Sequence, residues 1–198
     1  MKLSRTTAAL AVGLATLIAL SGCAQDTLAQ QYLEGSGKNY IAGDGSITEV
    51  AEANRGEPIS FTATDLEGNA ISSSDFAGKV LVVNFWYAGC APCRAEAKDL
   101  EKVYAQFADK NVAFIGVNVR DGADTAKTFN TTFGVTFPSV TDLEGKVQLA
   151  FSSSVAPNAV PTTLVLDTQG RVAARVLGRI ASDSILATLI SDQLKAAK

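Results

Sequence analysis

The run Val80-Leu81-Val82-Val83-Asn84-Phe85-Trp86 passes within four residues into Cys90-Ala91-Pro92-Cys93, and that junction restricts the fold more than any other stretch of the sequence. An almost unbroken apolar segment rich in β-branched and aromatic residues, with no period-two alternation, fits a strand covered on both faces. Beyond it the pattern changes to a helical one: between Pro92 and Ala108, residues Leu100, Val103, Tyr104 and Phe107 recur at i, i+3, i+4 and i+7. Farther on, Val112 to Val119 reads as a second buried strand, Asp124 to Phe133 as a helix, and Thr162 to Asp167 with Arg171 to Leu177 as a hairpin pair. Ser182 to Leu194, with Ile185, Leu186, Leu189 and Ile190 on one side, closes the chain as a helix. The order strand, helix, strand, helix, strand, strand, helix predicts an α/β fold with a central mixed β-sheet flanked by helices. Asp65-Leu66-Glu67-Gly68, Asp142-Leu143-Glu144-Gly145 and Asp167-Thr168-Gln169-Gly170 place Asp first and Gly fourth, which suits type I turns at hairpins or strand-to-helix corners.

Three regions are expected along the 198 residues. Residues 1–22 read as an export signal, with Lys2 and Arg5 followed by an apolar stretch of 13 residues from Ala8 to Leu20. That length fits the apolar centre of a signal peptide and falls short of the roughly 20 residues a spanning helix needs. Leu20-Ser21-Gly22-Cys23 then resembles the bacterial lipobox, which implies lipid attachment at Cys23 and placement on the outer face of the cell membrane. Two acyl chains give stable anchoring. The alternative is an ordinary cleaved signal that leaves a thiol at Cys23, a liability in an oxidising compartment. Residues 23–56, rich in Gln, Gly, Ser and Asp, read as a tether with at most a short ordered piece, and residues 57–198 as one domain that opens on the strand-like run Pro58 to Thr64.

Charge and composition remove several classes of function. With 17 Lys and Arg against 20 Asp and Glu, and no basic run, the chain has no footprint for nucleic acid. It contains no histidine, which excludes imidazole general bases and most zinc or copper sites built on imidazole. No metal and no cofactor is expected.

Cysteine chemistry remains. Cys90 falls where the buried strand ends and the helix begins, so its sulfur faces unpaired backbone N–H groups and the positive end of the helix dipole. Both favour a thiolate below the free-cysteine pKa of about 8.5. Pro92 suits the first turn, where its missing N–H is not needed. Cys93, one turn further in, is expected to be more buried and less ionised. The asymmetry suggests that Cys90 attacks a disulfide and that Cys93 resolves the mixed disulfide. A structural disulfide, half of a zinc site and an inert core pair are the competing readings. The first would constrain only a two-residue loop, and the second lacks further Cys or His ligands in the domain.

Taken together, Asn84-Phe85-Trp86 with Cys90-Ala91-Pro92-Cys93-Arg94-Ala95-Glu96, Phe137-Pro138-Ser139-Val140-Thr141-Asp142 and Val160-Pro161-Thr162-Thr163-Leu164 resemble the thioredoxin-like superfamily, and within it the TlpA/ResA-type membrane-anchored disulfide reductases. The likeness runs from about Pro58 to Leu194. It implies a thioredoxin-like fold with an extra strand and helix inserted over Gly122 to Asp142, where the insertion would shape the groove that selects a partner. It also implies that Pro161 is cis and lies against the cysteines, and that the Val160 backbone pairs with substrate. Glu96, three residues after Cys93, would tune proton transfer; its other reading is an exposed first-turn acid stabilised by the helix dipole. Asn84 stands where cytoplasmic thioredoxins carry a buried aspartate, so an acid would have to come from Glu96 or water. Trp86 is divided between core packing and substrate contact.

The resemblance implies an extracytoplasmic protein thiol-disulfide oxidoreductase. Its expected partners are disulfide-containing exported proteins, with apocytochromes c in cytochrome c maturation as candidates, together with a membrane electron donor. A Sco-like copper-handling module and a peroxiredoxin-like peroxide reductase are the alternatives. The former normally needs CxxxC and a distant histidine, the latter a lone peroxidatic cysteine in a Pro-rich loop.

Overall fold

The structure is a computed structural model, and it describes residues 46–156 and 159–197. The expected signal segment and Cys23 lie outside the described residues.

The chain forms a single mixed sheet in the order β1-β8-β7-β4-β5-β6-β2-β3. Its strands are β1 (Ile47–Glu49), β2 (Thr62–Asp65), β3 (Ala70–Ser72), β4 (Val80–Trp86), β5 (Val112–Asn118), β6 (Ser139–Thr141), β7 (Thr162–Leu166) and β8 (Val172–Leu177). Among the described residues three α-helices connect strands, α1 (Ala91–Gln106), α2 (Ala123–Phe133) and α3 (Lys146–Ala150), and α4 (Asp183–Ala196) follows β8. β4, β5 and β6 run parallel, and β7, β8 and β2 join antiparallel. This is the expected thioredoxin-like α/β fold, and the segment expected as an insertion supplies α2 and β6, with β6 placed between β5 and β2.

β4 has no alternation because both of its faces are covered. Successive side chains still point to opposite sides. Leu81, Val83 and Phe85 pack with Ile115 and Val117 of β5 and with Val147, Phe151 and Val155 of the α3 region. Trp86 faces the other way and joins Cys90, Cys93 and Ala97 of α1 and Ala126 and Phe129 of α2. Burying side chains of this size contributes about 1.5–3 kcal/mol each, so this two-sided core is the main source of rigidity beneath the cysteines.

The three Asp-x-x-Gly segments all turn, with the glycine amide donating to the aspartate carbonyl in each. Two close hairpins, β2–β3 and β7–β8. In the third, Asp142 accepts from the amides of Val147 and Gln148 at 3.0 and 2.8 Å and so caps α3. β1, β3 and β6 are three residues each and too short to show a period, and of these only β6 was expected, through the family resemblance.

The folded body starts earlier than residue 57. β1 pairs with β8 through Ile47, Thr48 and Glu49, and Arg55 donates to Asp167 Oδ2 at 2.9 Å and to the Val50 carbonyl at 3.1 Å. Ile47–Glu49 therefore join the sheet as an edge strand and residues 50–56 pack beside it, which is the ordered piece of the stretch read as a tether; residues 24–45 lie outside the described residues. The polar composition that suggested a linker is that of an edge strand held by a long-range ion pair.

Candidate active site

The parallel register sets Trp86 level with Asn118, so the loops after β4 and β5 leave the sheet side by side. The antiparallel partner β7 begins opposite Phe85, which brings Pro161 to that same end. Gly178, just after β8, donates to the Pro161 carbonyl at 2.9 Å. Four chain segments thus meet at the carboxyl end of the central strands, where open α/β sheets place their sites.

Cys90 and Cys93 form a disulfide. Cys90 is the N-cap of α1, and its Sγ accepts from the Cys93 amide at 3.2 Å. A sulfur in that position receives the N–H group that a thiolate would need, together with the field of a helix 16 residues long. Cys90 is 3% exposed and Cys93 2%. The greater burial expected of Cys93 is thus not visible in this closed pair, because the bond ties both sulfurs to one position under the helix start.

Glu96 is fully buried. Oε1 accepts from Asn84 Nδ2 at 3.1 Å and Oε2 from the Ile180 amide at 3.0 Å, while the same Asn84 nitrogen donates to Thr163 Oγ1 at 3.0 Å. Burial pushes the Glu96 carboxyl up to about 7, against the opposing hydrogen bonds from Ile180 and Asn84 and the nearby Arg179. Of its two readings the exposed first-turn acid is ruled out, since Leu100 and Ala97 of the same stripe carry Glu96 inward with them. A carboxyl poised near neutrality can take up or release a proton at working pH.

The Val160–Pro161 bond is cis. Pro161 is buried and Val160 half-buried, and the Thr162 hydroxyl donates to the Ala159 carbonyl at 2.7 Å.

Trp86 had two readings, core packing and contact with substrate. It is 3% exposed and lies against Phe129 with ring centroids 4.3 Å apart, so of the two the structure supports core packing. It supports the cysteines from below. Its indole also explains Gly116, where a Cβ would stand 2.9 Å from Trp86 Nε1 and 2.8 Å from Ser139 Oγ. Gly116 was not singled out by sequence, although a glycine inside a buried strand is a mark of close approach. Asn118 and Asp121 were missed too, and no local signal pointed to them. Asp121 Oδ2 accepts from the Ala88 amide at 2.6 Å and from Asn118 Nδ2 at 2.9 Å. Among the described residues no group of three or more Cys, Asp or Glu could hold a metal ion, and no helix is long and apolar enough to cross a membrane.

The profile of the AhpC/TSA family matches residues 56–175. The chain is 32% identical to the thiol-disulfide oxidoreductase ResA of Bacillus subtilis (strain 168) over 145 residues, covering 73% of this chain and 76% of that one. It is 33% identical to ResA of Geobacillus kaustophilus over 125 residues, 63% of this chain and 70% of that one. Among solved structures it is similar to a secreted thiol-disulfide isomerase from Corynebacterium glutamicum, with a TM-score of 0.70 and 29% identity over 79% of this chain and 96% of that one. A DsbF homologue from Corynebacterium diphtheriae is similar at a TM-score of 0.66 and 30% identity, covering 78% and 98% of the two chains.

Proposed function

The chain belongs to the AhpC/TSA family and is a protein thiol-disulfide oxidoreductase of the ResA/TlpA type, and from that premise we propose that it exchanges disulfides of exported proteins through Cys90 and Cys93 while anchored by lipid at Cys23 on the outer face of the cell membrane. The observation that carries the reading is the Cys90 sulfur seated on the Cys93 amide at the mouth of α1.

In the reductive direction the Cys90 thiolate attacks one sulfur of a substrate disulfide, and the other substrate sulfur leaves as a thiolate. Cys93 gives up its proton and attacks Cys90. The second substrate sulfur is released, and the two electrons gained by the substrate are those lost by the pair, which closes to the disulfide present here. Glu96, three residues from Cys93 and held near neutrality, is the group suited to take that proton. Val160 and Pro161, at the same end of the sheet, would receive the substrate backbone. A membrane electron donor would reopen the pair.

The reductive direction, and apocytochromes c as substrates, rest on the resemblance of the Cys90-to-Glu96 and Val160-to-Leu164 segments to TlpA/ResA-type reductases, and the exchange chemistry is supported by relatives named thiol-disulfide oxidoreductase. The membrane location is supported by the lipobox-like Leu20-Ser21-Gly22-Cys23, and export from the cytoplasm by the structural relative named as secreted. The test is a Cys93→Ser variant of the full chain expressed in cells. Mixed disulfides between Cys90 and exported proteins, identified by mass spectrometry, support the reading. Trapping of cytoplasmic proteins alone, or a reduction potential at the oxidising end of the thioredoxin-like range, would overturn it.

A further inference from the structure

We propose that Asp121 is a positioning residue for Cys90, fixing the turn from which the Cys90 sulfur is presented to the amides of α1; this rests on the exchange activity proposed above. The turn Tyr87-Ala88-Gly89-Cys90 is closed by the Cys90 amide donating to the Tyr87 carbonyl at 3.1 Å. Ala88 is its second residue, and the Ala88 N–H leaves the turn to meet Asp121 Oδ2 at 2.6 Å, a short charge-assisted bond.

That carboxylate is itself held. The same oxygen accepts from Asn118 Nδ2 at 2.9 Å, and Asn118 Oδ1 in return accepts from the amides of Arg120 and Asp121 at 3.0 and 2.7 Å. Asn118 is fully buried at the end of β5, so the clamp is built on the rigid part of the sheet. The neighbouring residues grip the same segment. Val119 donates to the Trp86 carbonyl at 3.0 Å, and the Arg120 guanidinium lies 4.3 Å from the centre of the Tyr87 ring. Between Ala88 and Cys90 stands only Gly89, the residue type with the least conformational restraint of its own. From α1 the Arg94 amide donates to the Cys90 carbonyl at 3.1 Å and the Arg94 guanidinium to the Ala88 carbonyl at 3.4 Å, a longer bond than that of Asp121, so the loop after β5 supplies the shorter of the two side-chain ties on the turn.

Asp121 acts on Cys90 in two opposed ways. Its geometry keeps Sγ under the helix amides and favours the thiolate, whereas its negative charge disfavours a second anion nearby. Two substitutions separate them. Asp121→Asn keeps an oxygen able to accept from Ala88 and Asn118 and removes the charge. Asp121→Ala removes both.

The experiment is the pH dependence of Cys90 alkylation by iodoacetamide in the fully reduced, full-length protein, read by mass spectrometry beside thermal unfolding of each variant. The Asn variant is expected to reach half-maximal rate at or below the wild-type pH. The Ala variant is expected to do so about one pH unit above the Asn variant, a tenfold lower thiolate fraction at a given pH below both. Superimposed profiles for the two variants would overturn the proposal, and a lowered unfolding temperature with those profiles would leave Asp121 a structural tie only. Should the Ala variant fail to fold, Asp121→Glu decides, since it keeps the charge and displaces the carboxylate by one methylene; a wild-type profile there overturns the proposal as well. Alkylation needs no partner, so a wild-type protein that exchanges no disulfides would sink the proposed function without touching this outcome.

Discussion

Asn84 on β4 and Glu96 on α1 meet in the core, Nδ2 donating to Oε1 at 3.1 Å, and both side chains are buried. The strand contributes the neutral amide and the helix contributes the acid. Because Glu96 lies one turn beyond Cys93, the titratable group is carried on the same rigid element as both sulfurs. The second carboxylate oxygen reaches the Ile180 amide, so the loop after β8, whose Gly178 is bonded to Pro161, is tied to the same acid.

The raised Glu96 carboxyl makes stability fall with rising pH. Its folded value is about 7 against 4.5 for the free group, so between those values the native state holds a proton that the unfolded chain has released. The stabilisation is complete below about pH 4.5, is lost as pH rises toward 7, and amounts to about 3 kcal/mol. Denaturant midpoints of the oxidised protein at pH 5 and pH 8 should show this drop, and Glu96→Gln should flatten it. An equally steep slope in the variant would mean that another group is responsible.

Cys90→Ser should abolish disulfide reduction in an insulin turbidity assay, and Cys93→Ser should stall at the mixed disulfide with little turnover. The two sulfurs differ in their place on the backbone: Cys90 is the cap that receives an amide, whereas Cys93 lies inside the helix. Full turnover by both variants would refute the division of roles.

Gly116→Ala should destabilise the domain by about 1–3 kcal/mol, as overpacking does in a close-packed core. The added methyl meets Ser139 Oγ at 2.8 Å and the Trp86 indole at 2.9 Å, and the indole is already confined by Phe129. Equilibrium unfolding in urea measures it, and a change within experimental error would show that the floor beneath the cysteines can yield.

Asp167→Asn should loosen the start of the domain. Asp167 accepts from Arg55 at 2.9 Å and from Arg171 at 2.8 Å; partial burial pushes its carboxyl up, but the Arg171 amide, these two guanidinium groups and the Gln169 amide together hold it below the usual range. Breaking a buried pair costs about 3–5 kcal/mol, and some exposure of Arg171 lowers the expectation to about 2–3 kcal/mol. Hydrogen exchange at Val50, whose amide bonds the Ala173 carbonyl, should accelerate in the variant more than exchange in β4. Uniform acceleration across both would show that the loss is global and not local to β1.

Most of the fold was legible because its central elements are long enough to display a period. Val80 to Trp86 and the stripe Leu100, Val103, Phe107 name their own environments, and Cys90-Ala91-Pro92-Cys93 announces a helix start through its proline and its position after a buried strand. Cys90, Cys93, Glu96 and Pro161 could all be marked for attention from the residues and their likeness to a family. Neighbours along the chain were enough to impose strand, helix, turn and the placing of a sulfur at a helix mouth. It took the folded sheet to turn Trp86 inward, to bury Glu96 on Asn84, to let Asp121 hold Ala88 across 33 positions, and to pair Ile47–Glu49 with β8. Hydrogen bonds and close approaches between distant segments depend on strand register, and register emerges from the packing of the whole sheet, which leaves no local periodic trace.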